Sequence, residues 1–445
     1  MVKIGAGFGF SIAALILLLG IQGCSDNSSS PPQADPQKAK ERVSQANQIF
    51  IPKLALIFLS QGTDTSAYDM SAAKSLYGEA LAADPGNLDA HFGYALTEIL
   101  LLNKDPRVRA LLGGLRSPAA RTLPEMSFLN QGPSARQILT SVIGERILSY
   151  SSAPFPQSPQ NLYGEIQKSA SAAPFSAYQN VLETSVLPVL AEAINHLTII
   201  TYNHDYAFYI TSHEAGGTLS DSIRIDLTEI YLLLAITQEI NADASFLVAY
   251  NVDYNSSDRT AVSDAWLPTS PFLALRTNGA QRMKAAKSNF TGFATSLQNG
   301  ITFLLQETPH PGISLITARP QDAPALHAVI DTLDVFKSFF TTPFALHGDF
   351  NRDGLPDNLT VSLSNFFDNA VPNFKSKLPA YNVDVQQNLN GTYSAVLVWE
   401  ATSFSSWVFP DATFNGIFPG MTDASLKQTF GLSAAVWSQR LVVGD

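Results

Sequence analysis

The sequence predicts a mainly α protein: a helical amino-terminal and central body interrupted by one β-hairpin, followed by a small α+β part. Three observations carry that prediction. Apolar residues recur three and four positions apart through much of the stretch from Lys38 to Phe340, the period of a helix face. Tyr206–Thr211 and Ser222–Leu227 flank His213-Glu-Ala-Gly-Gly217, the layout of a hairpin. Beyond residue 345, alternation at Leu359, Val361 and Leu363 and the turn pair Asn390-Gly391 replace the helical spacing.

Composition limits the classes of function. The chain has 445 residues, 45% of them hydrophobic, enough for two or three domains with sizeable cores. Its formal net charge of −11 makes nucleic acid and anionic lipid faces poor partners for the body as a whole. Cys24 is the only cysteine, so its modification leaves no thiol for a disulfide, a zinc finger or a nucleophile.

The stretch from Met1 to Cys24 speaks to location. Lys3 precedes an apolar run from Phe8 to Ile21, and Gln22-Gly23-Cys24 closes it, the layout of an export signal. The closing residues resemble the lipobox of bacterial lipoproteins on Ile21 and Gly23, with Gln22 where a small residue is usual. That resemblance implies a signal peptide of residues 1–23, acylation of Cys24 and a membrane anchor through the amino-terminal lipid. Acyl chains hold a protein on a bilayer at about 0.8 kcal/mol per buried methylene. Ser25 follows the cysteine, which under the Gram-negative sorting rule implies the outer membrane, periplasm-facing or surface-exposed. Residues 24–37, rich in Ser, Asp and Pro, are expected to form a flexible linker.

Residues 38–150 read as a first helical region, with helices at Lys38–Leu59 and Met70–Ala83 and a third beginning at Asn87. Ala73, Tyr77, Ala80 and Pro85 stand at the separations of small, aromatic, small and terminating residues in a tetratricopeptide repeat, which the stretch resembles. Ala90, Tyr94 and Ala95 continue the pattern, with His91 where a large residue is usual. The resemblance covers roughly residues 70–100 and has no second copy downstream. It implies a helical hairpin that offers Tyr77, His91 and Tyr94 to a protein partner. Pro106, Gly113-Gly114, Pro118, Pro124 and Pro133 mark an irregular connection, after which helices resume at Ala135–Ser149 and Pro159–Ala170.

Residues 151–345 form the expected helical core. Leu182, Val186, Val189, Ala193, His196 and Ile200 line one face of a helix over Phe175–Thr201, and Pro188 predicts a kink in it. Thr228 is expected to cap a central helix, Glu229–Tyr250, whose first half is apolar nearly all round. Ala280–Leu305 and Ala323–Phe340 are two further helices. In residues 346–445, Val383–Leu389 and Thr392–Trp399 are expected to pair, Trp399, Phe404, Trp407, Phe409, Phe414 and Phe418 to supply an aromatic core, and Asp423–Phe430 to form a short helix.

The sharpest chemical signal is Gly348-Asp-Phe-Asn-Arg-Asp-Gly-Leu-Pro-Asp357. Oxygen ligands at alternate positions suit a hard cation, and Gly354 permits the left-handed turn that folds the chain around it. The spacing resembles the first half of an EF-hand loop and, more closely, the short aspartate loops of FG-GAP-type repeats. Thr360 stands where an EF-hand carries its last glutamate. The resemblance implies a structural calcium held by the side chains of Asp349, Asn351, Asp353 and Asp357 and the Leu355 carbonyl.

No phosphate loop, His-Glu-x-x-His pair or nucleophile elbow is present in the sequence. The leading expectation is therefore a non-catalytic binding or assembly scaffold for a protein partner in the envelope. A second is an accessory carrier whose aromatic-rich helices from Phe175 to Phe340 enclose a hydrophobic ligand. A third is a metal-dependent hydrolase using His204, His213 and nearby acids, if the fold gathers them at His196.

Overall fold

Helices dominate the computed structural model, as the apolar spacing predicted. It describes residues 34–59, 69–108, 175–211, 213–214, 222–253, 255–307, 313–349, 356–388, 391–400, 406–429 and 440–443. The signal peptide, Cys24, the helices expected at 135–149 and 159–170, and Asn351, Asp353 and Leu355 lie outside the described residues.

The first helix, α1 (Pro36–Leu59), begins two residues inside the expected linker. Asp35 makes this possible: its Oδ1 accepts from the Lys38 N–H at 3.0 Å, and Pro36 stands in the first turn, where no N–H is needed. Next come α2 (Ser71–Ala83) and α3 (Leu88–Leu101), joined by a tight turn in which Asn87 Oδ1 caps α3 by accepting from Ala90 N at 2.9 Å. Tyr77 is fully buried between them, and its hydroxyl donates to Asn47 Oδ1 of α1 at 2.6 Å. A Cβ on Gly93 would lie 2.1 Å from that ring. Glycine at this point of α3 is what lets the tyrosine cross it.

The kink expected at Pro188 is a π turn, Leu182–Val186, between α4 (Phe175–Val181) and α5 (Leu187–Thr201). Proline has no N–H for the carbonyl of Thr184 four residues back, and its ring crowds that carbonyl, so the preceding turn widens. Strands β1 (Ala207–Ile210) and β2 (Ile223–Asp226) form the predicted antiparallel pair. The central helix α6 (Leu227–Leu247) starts earlier than expected, because Asp226 and not Thr228 is its cap. Asp226 Oδ1 accepts from Thr228 N at 2.8 Å, and Glu229 Oε2 accepts from Asp226 N at 2.9 Å, a reciprocal box with the Asp-x-x-Glu spacing.

A short helix, α7 (Arg259–Ala265), precedes the long α8 (Gly279–Gln306), which packs along α6 with Gly300 against the Tyr231 side chain. Strand β3 (Ile313–Ser314) adds to β2 in parallel, and α9 (Ala323–Phe339) packs on α8. Then β4 (Phe344–Gly348) pairs antiparallel with β5 (Asp357–Val361), and α10 (Leu363–Asp368) follows at once, so Leu363 opens a helix instead of extending the strand. Strands β6 (Tyr381–Gln387) and β7 (Tyr393–Trp399) make the second predicted hairpin. Its turn is one residue longer than the Asn-Gly pair suggests: Asn388 N still bonds Thr392 O at 2.8 Å, and Gly391 has φ +85°. Helix α11 (Asp423–Thr429) and strand β8 (Arg440–Val443), antiparallel to β7, complete the order.

One core draws on segments far apart in the chain. One cluster joins Phe50, Met70, Tyr77 and Phe92 of the first three helices to Leu197 and Ile200 of α5 and Ile225, Ile230 and Leu234 of β2 and α6. Helices α1, α2 and α3 thus share one core with α5 and α6. In the carboxyl-terminal part, Trp266, the residue that caps the end of α7, joins Trp399 and Trp407 against the β6–β7 sheet. Lys375 holds this junction: its buried Nζ donates to the carbonyls of Ala265, Leu267 and Ser270 at 2.8, 2.8 and 3.0 Å. All three ammonium protons meet backbone at the end of α7, which offsets the cost of burying the charge.

Candidate binding groove

The hairpin residues expected to face a partner face the rest of the chain instead. Tyr77 is 0% exposed and His91 is 5% exposed. Helix α5 lies across α3, and the ring of His196 meets His91, Nδ1 to Nδ1, at 2.6 Å, with Tyr94 packed on the same imidazole at 4.7 Å between centroids. His91 Nε2 faces the Pro85 carbonyl at 2.9 Å, and a carbonyl only accepts. That network assigns the His91 proton to Nε2, so His91 Nδ1 accepts from the Nδ1–H of a neutral His196. Burial, and then the neighbouring His91, lower the His196 pKa below its ordinary value. Beside the pair, Lys74 bonds Glu98; burial raises the Glu98 carboxyl despite that cation. This seam is a half-buried polar joint between the hairpin and the body.

His196 therefore meets His91, and not His204 or His213 as the hydrolase reading required. Among the described residues, no group of three or more His, Cys, Asp or Glu side chains is placed to hold a metal. The aromatic residues expected to enclose a hydrophobic ligand pack on one another. Phe290 stacks on Phe340 at 5.7 Å, and Phe336 and Phe367 approach Phe340 at 5.1 and 5.6 Å.

An open groove of about 620 Å³ lies on the other side of α5. Its floor is Tyr231, Leu234 and Gln238 of α6, the central helix. One wall is the end of α5 with the residues after it: Thr198, Thr201, Tyr202 and His204. The facing wall is a polar stripe of α8, running from Ser288 through Thr291, Gly292, Thr295 and Ser296 to Asn299. Among the described residues, no carboxylate, ammonium or guanidinium lines it, although the chain is strongly acidic.

The groove's polar groups have a common orientation. Thr198, Thr201, Thr291 and Thr295 each donate their hydroxyl proton to a carbonyl three or four residues back, at 2.7, 2.8, 3.0 and 2.8 Å. Each oxygen keeps lone pairs for another donor. Ser296 donates to Gln238 Oε1 at 2.8 Å and fixes that amide over Gly292, where a Cβ would come within 2.8 Å of Gln238 Nε2. Tyr202, at the lip, is 77% exposed. The groove was not foreseen from the sequence. Its signal was there, in small polar residues three and four apart on the face of α8 opposite Met283, Ala286 and Phe293.

The calcium loop is described only at its ends. Gly348 pairs with Asp357 in the β4–β5 register, so Asp349 and Asp357 stand at the mouth of one hairpin. The strand that follows the aspartate loop is present. No family model, no curated protein and no solved structure matches the chain.

Proposed function

We propose that the protein is a bacterial lipoprotein, tethered to the outer membrane through Cys24, whose folded body binds a small neutral polar ligand in the groove above α6. One observation carries the binding reading: in an acidic chain, three helices converge on a groove whose polar groups, among the described residues, are hydroxyls, amides and the His204 imidazole, with no carboxylate, ammonium or guanidinium. Its volume lies within the range of about 300–1,000 Å³ usual for small-molecule sites. The leader supports the location, through the charged head, apolar run and Gly23-Cys24 junction.

The sequence favoured a protein partner on the hairpin; the packing of α5 over α3 supports a binding surface elsewhere. We retain the resemblance of α2 and the start of α3 to a tetratricopeptide hairpin as a scaffold feature, since Ala73, Tyr77 and Ala80 are the residues packed inside it. We also assign a structural calcium to the aspartate loop, which would brace β4 against β5 beside α10. A calcium titration of the apo protein checks this by a rise in unfolding temperature.

Native mass spectrometry of the full chain, released from its own envelope in a mild detergent, tests the binding reading. The expected spectrum shows a small neutral adduct that Gly292→Leu abolishes by displacing the Gln238 amide. A folded wild-type protein carrying no adduct, and taking up none from an envelope extract, overturns it.

A further inference from the structure

We infer that the groove is a saccharide site, in which a sugar ring stacks on Tyr202 while its hydroxyls donate to the threonine oxygens of α5 and α8. The inference rests on reading the groove as the binding face, and it adds the chemical class of the ligand.

Three features of the lining select that class. The threonine protons are already committed to helix carbonyls, so the walls are rich in acceptors and suit a ligand that brings several O–H or N–H donors of its own. Among the described residues the lining carries no carboxylate, ammonium or guanidinium, and His204 is its single imidazole, so a charged ligand would leave water with little opposite charge to meet it. Asn299, exposed on the α8 wall, and Gln238, held flat by Ser296, supply amide groups that both donate and accept, the combination a hydroxyl needs.

The exposed ring of Tyr202 adds a stacking surface beside these polar groups. A pyranose has one face of C–H groups, weakly positive, and an aromatic face is negative, so the two stack while the sugar's rim stays free for hydrogen bonds. Tyr202 follows α5 directly and shares its wall with Thr201, which places stacking surface and acceptors on one side of the groove. The regular helices on both walls keep their backbone bonds internal, so a peptide would find no strand edge here to extend.

The test uses the full chain in a detergent without a sugar headgroup and a panel of neutral oligosaccharides with β-1,4-linked N-acetylglucosamine, β-1,4-glucan and α-1,4-glucan backbones. Saturation-transfer NMR identifies a binder, and titration gives its affinity. Tyr202→Ala and Asn299→Ala are expected to weaken it by about tenfold each, near 1.4 kcal/mol. Tyr209→Ala, which removes an exposed tyrosine from β1, is expected to leave it unchanged. Silence from the whole panel, with a native adduct still present, overturns the saccharide class and leaves the groove reading standing. A saccharide that binds with equal affinity to wild type, Tyr202→Ala and Asn299→Ala lies outside the groove and overturns both.

Discussion

Lys375 and Gly93 show how much a single position can carry and how unevenly the sequence reveals it. Nothing around Lys375 in the sequence distinguishes it from any surface lysine, since its three acceptors lie more than a hundred residues away. Lys375→Met keeps the volume and removes the donors, leaving carbonyls at the end of α7 without them. Denaturant unfolding should show a loss of about 2–4 kcal/mol. Gly93 is easier to suspect, because glycine inside a helix is costly without a reason. Gly93→Ala drives a methyl into the buried Tyr77 ring and should cost about 1–3 kcal/mol. Combined with Tyr77→Leu, which frees the space, the alanine should cost less than it does alone. A fully additive double mutant would show that the ring is not the obstacle.

At the scale of elements, the helices were the most legible, because their apolar stripes repeat over many turns and each repeat adds to the same signal. Starts and stops were less so. The α6 cap was misplaced by two residues because Thr228 is itself a capping residue type, and only the reciprocal partner Glu229 identifies Asp226. What no local pattern reveals is which helix covers which, and here that decided the site: α5 occupies the α3 face expected for a partner. The joint between them should respond to acid. Because the folded pKa of His196 lies below its unfolded value, neutral His196 contributes stability that is complete above pH ~6.5 and is lost as pH falls toward the lowered folded value. Glu98, with a raised pKa, works in the opposite direction at lower pH, so a variant is needed to separate them. The stability difference between wild type and His196→Gln should shrink between pH 7 and 5. A difference constant across that range would mean that His196 does not titrate in the joint.

The whole molecule was legible as a class and illegible as an arrangement. A mainly α body with a small β-containing end followed from periodicity and the Asn-Gly signal. The groove needed three helices from segments far apart in the chain, and its hydroxyls look ordinary until their protons are traced to helix carbonyls. Location belongs to this scale as well. Cys24→Ser should shift the protein from the membrane pellet to the soluble fraction or leave an uncleaved leader, as read by fractionation and intact mass. Tight pelleting of a processed Cys24→Ser protein would remove the lipid anchor from the account.

The core shared by α1–α3 and the later segments α5 and α6 has a temporal side. A polypeptide made from its amino end presents Phe50, Met70 and Phe92 well before Leu197, Ile200 and Leu234 exist to shelter them. At about 5–20 residues per second, the interval between Leu101 and Leu187 lasts on the order of ten seconds. Throughout that time the apolar residues of the first three helices lack the segments that cover them in the folded protein. The topology therefore leaves those residues without their cover until the later segments emerge, and slower elongation or translocation lengthens the interval.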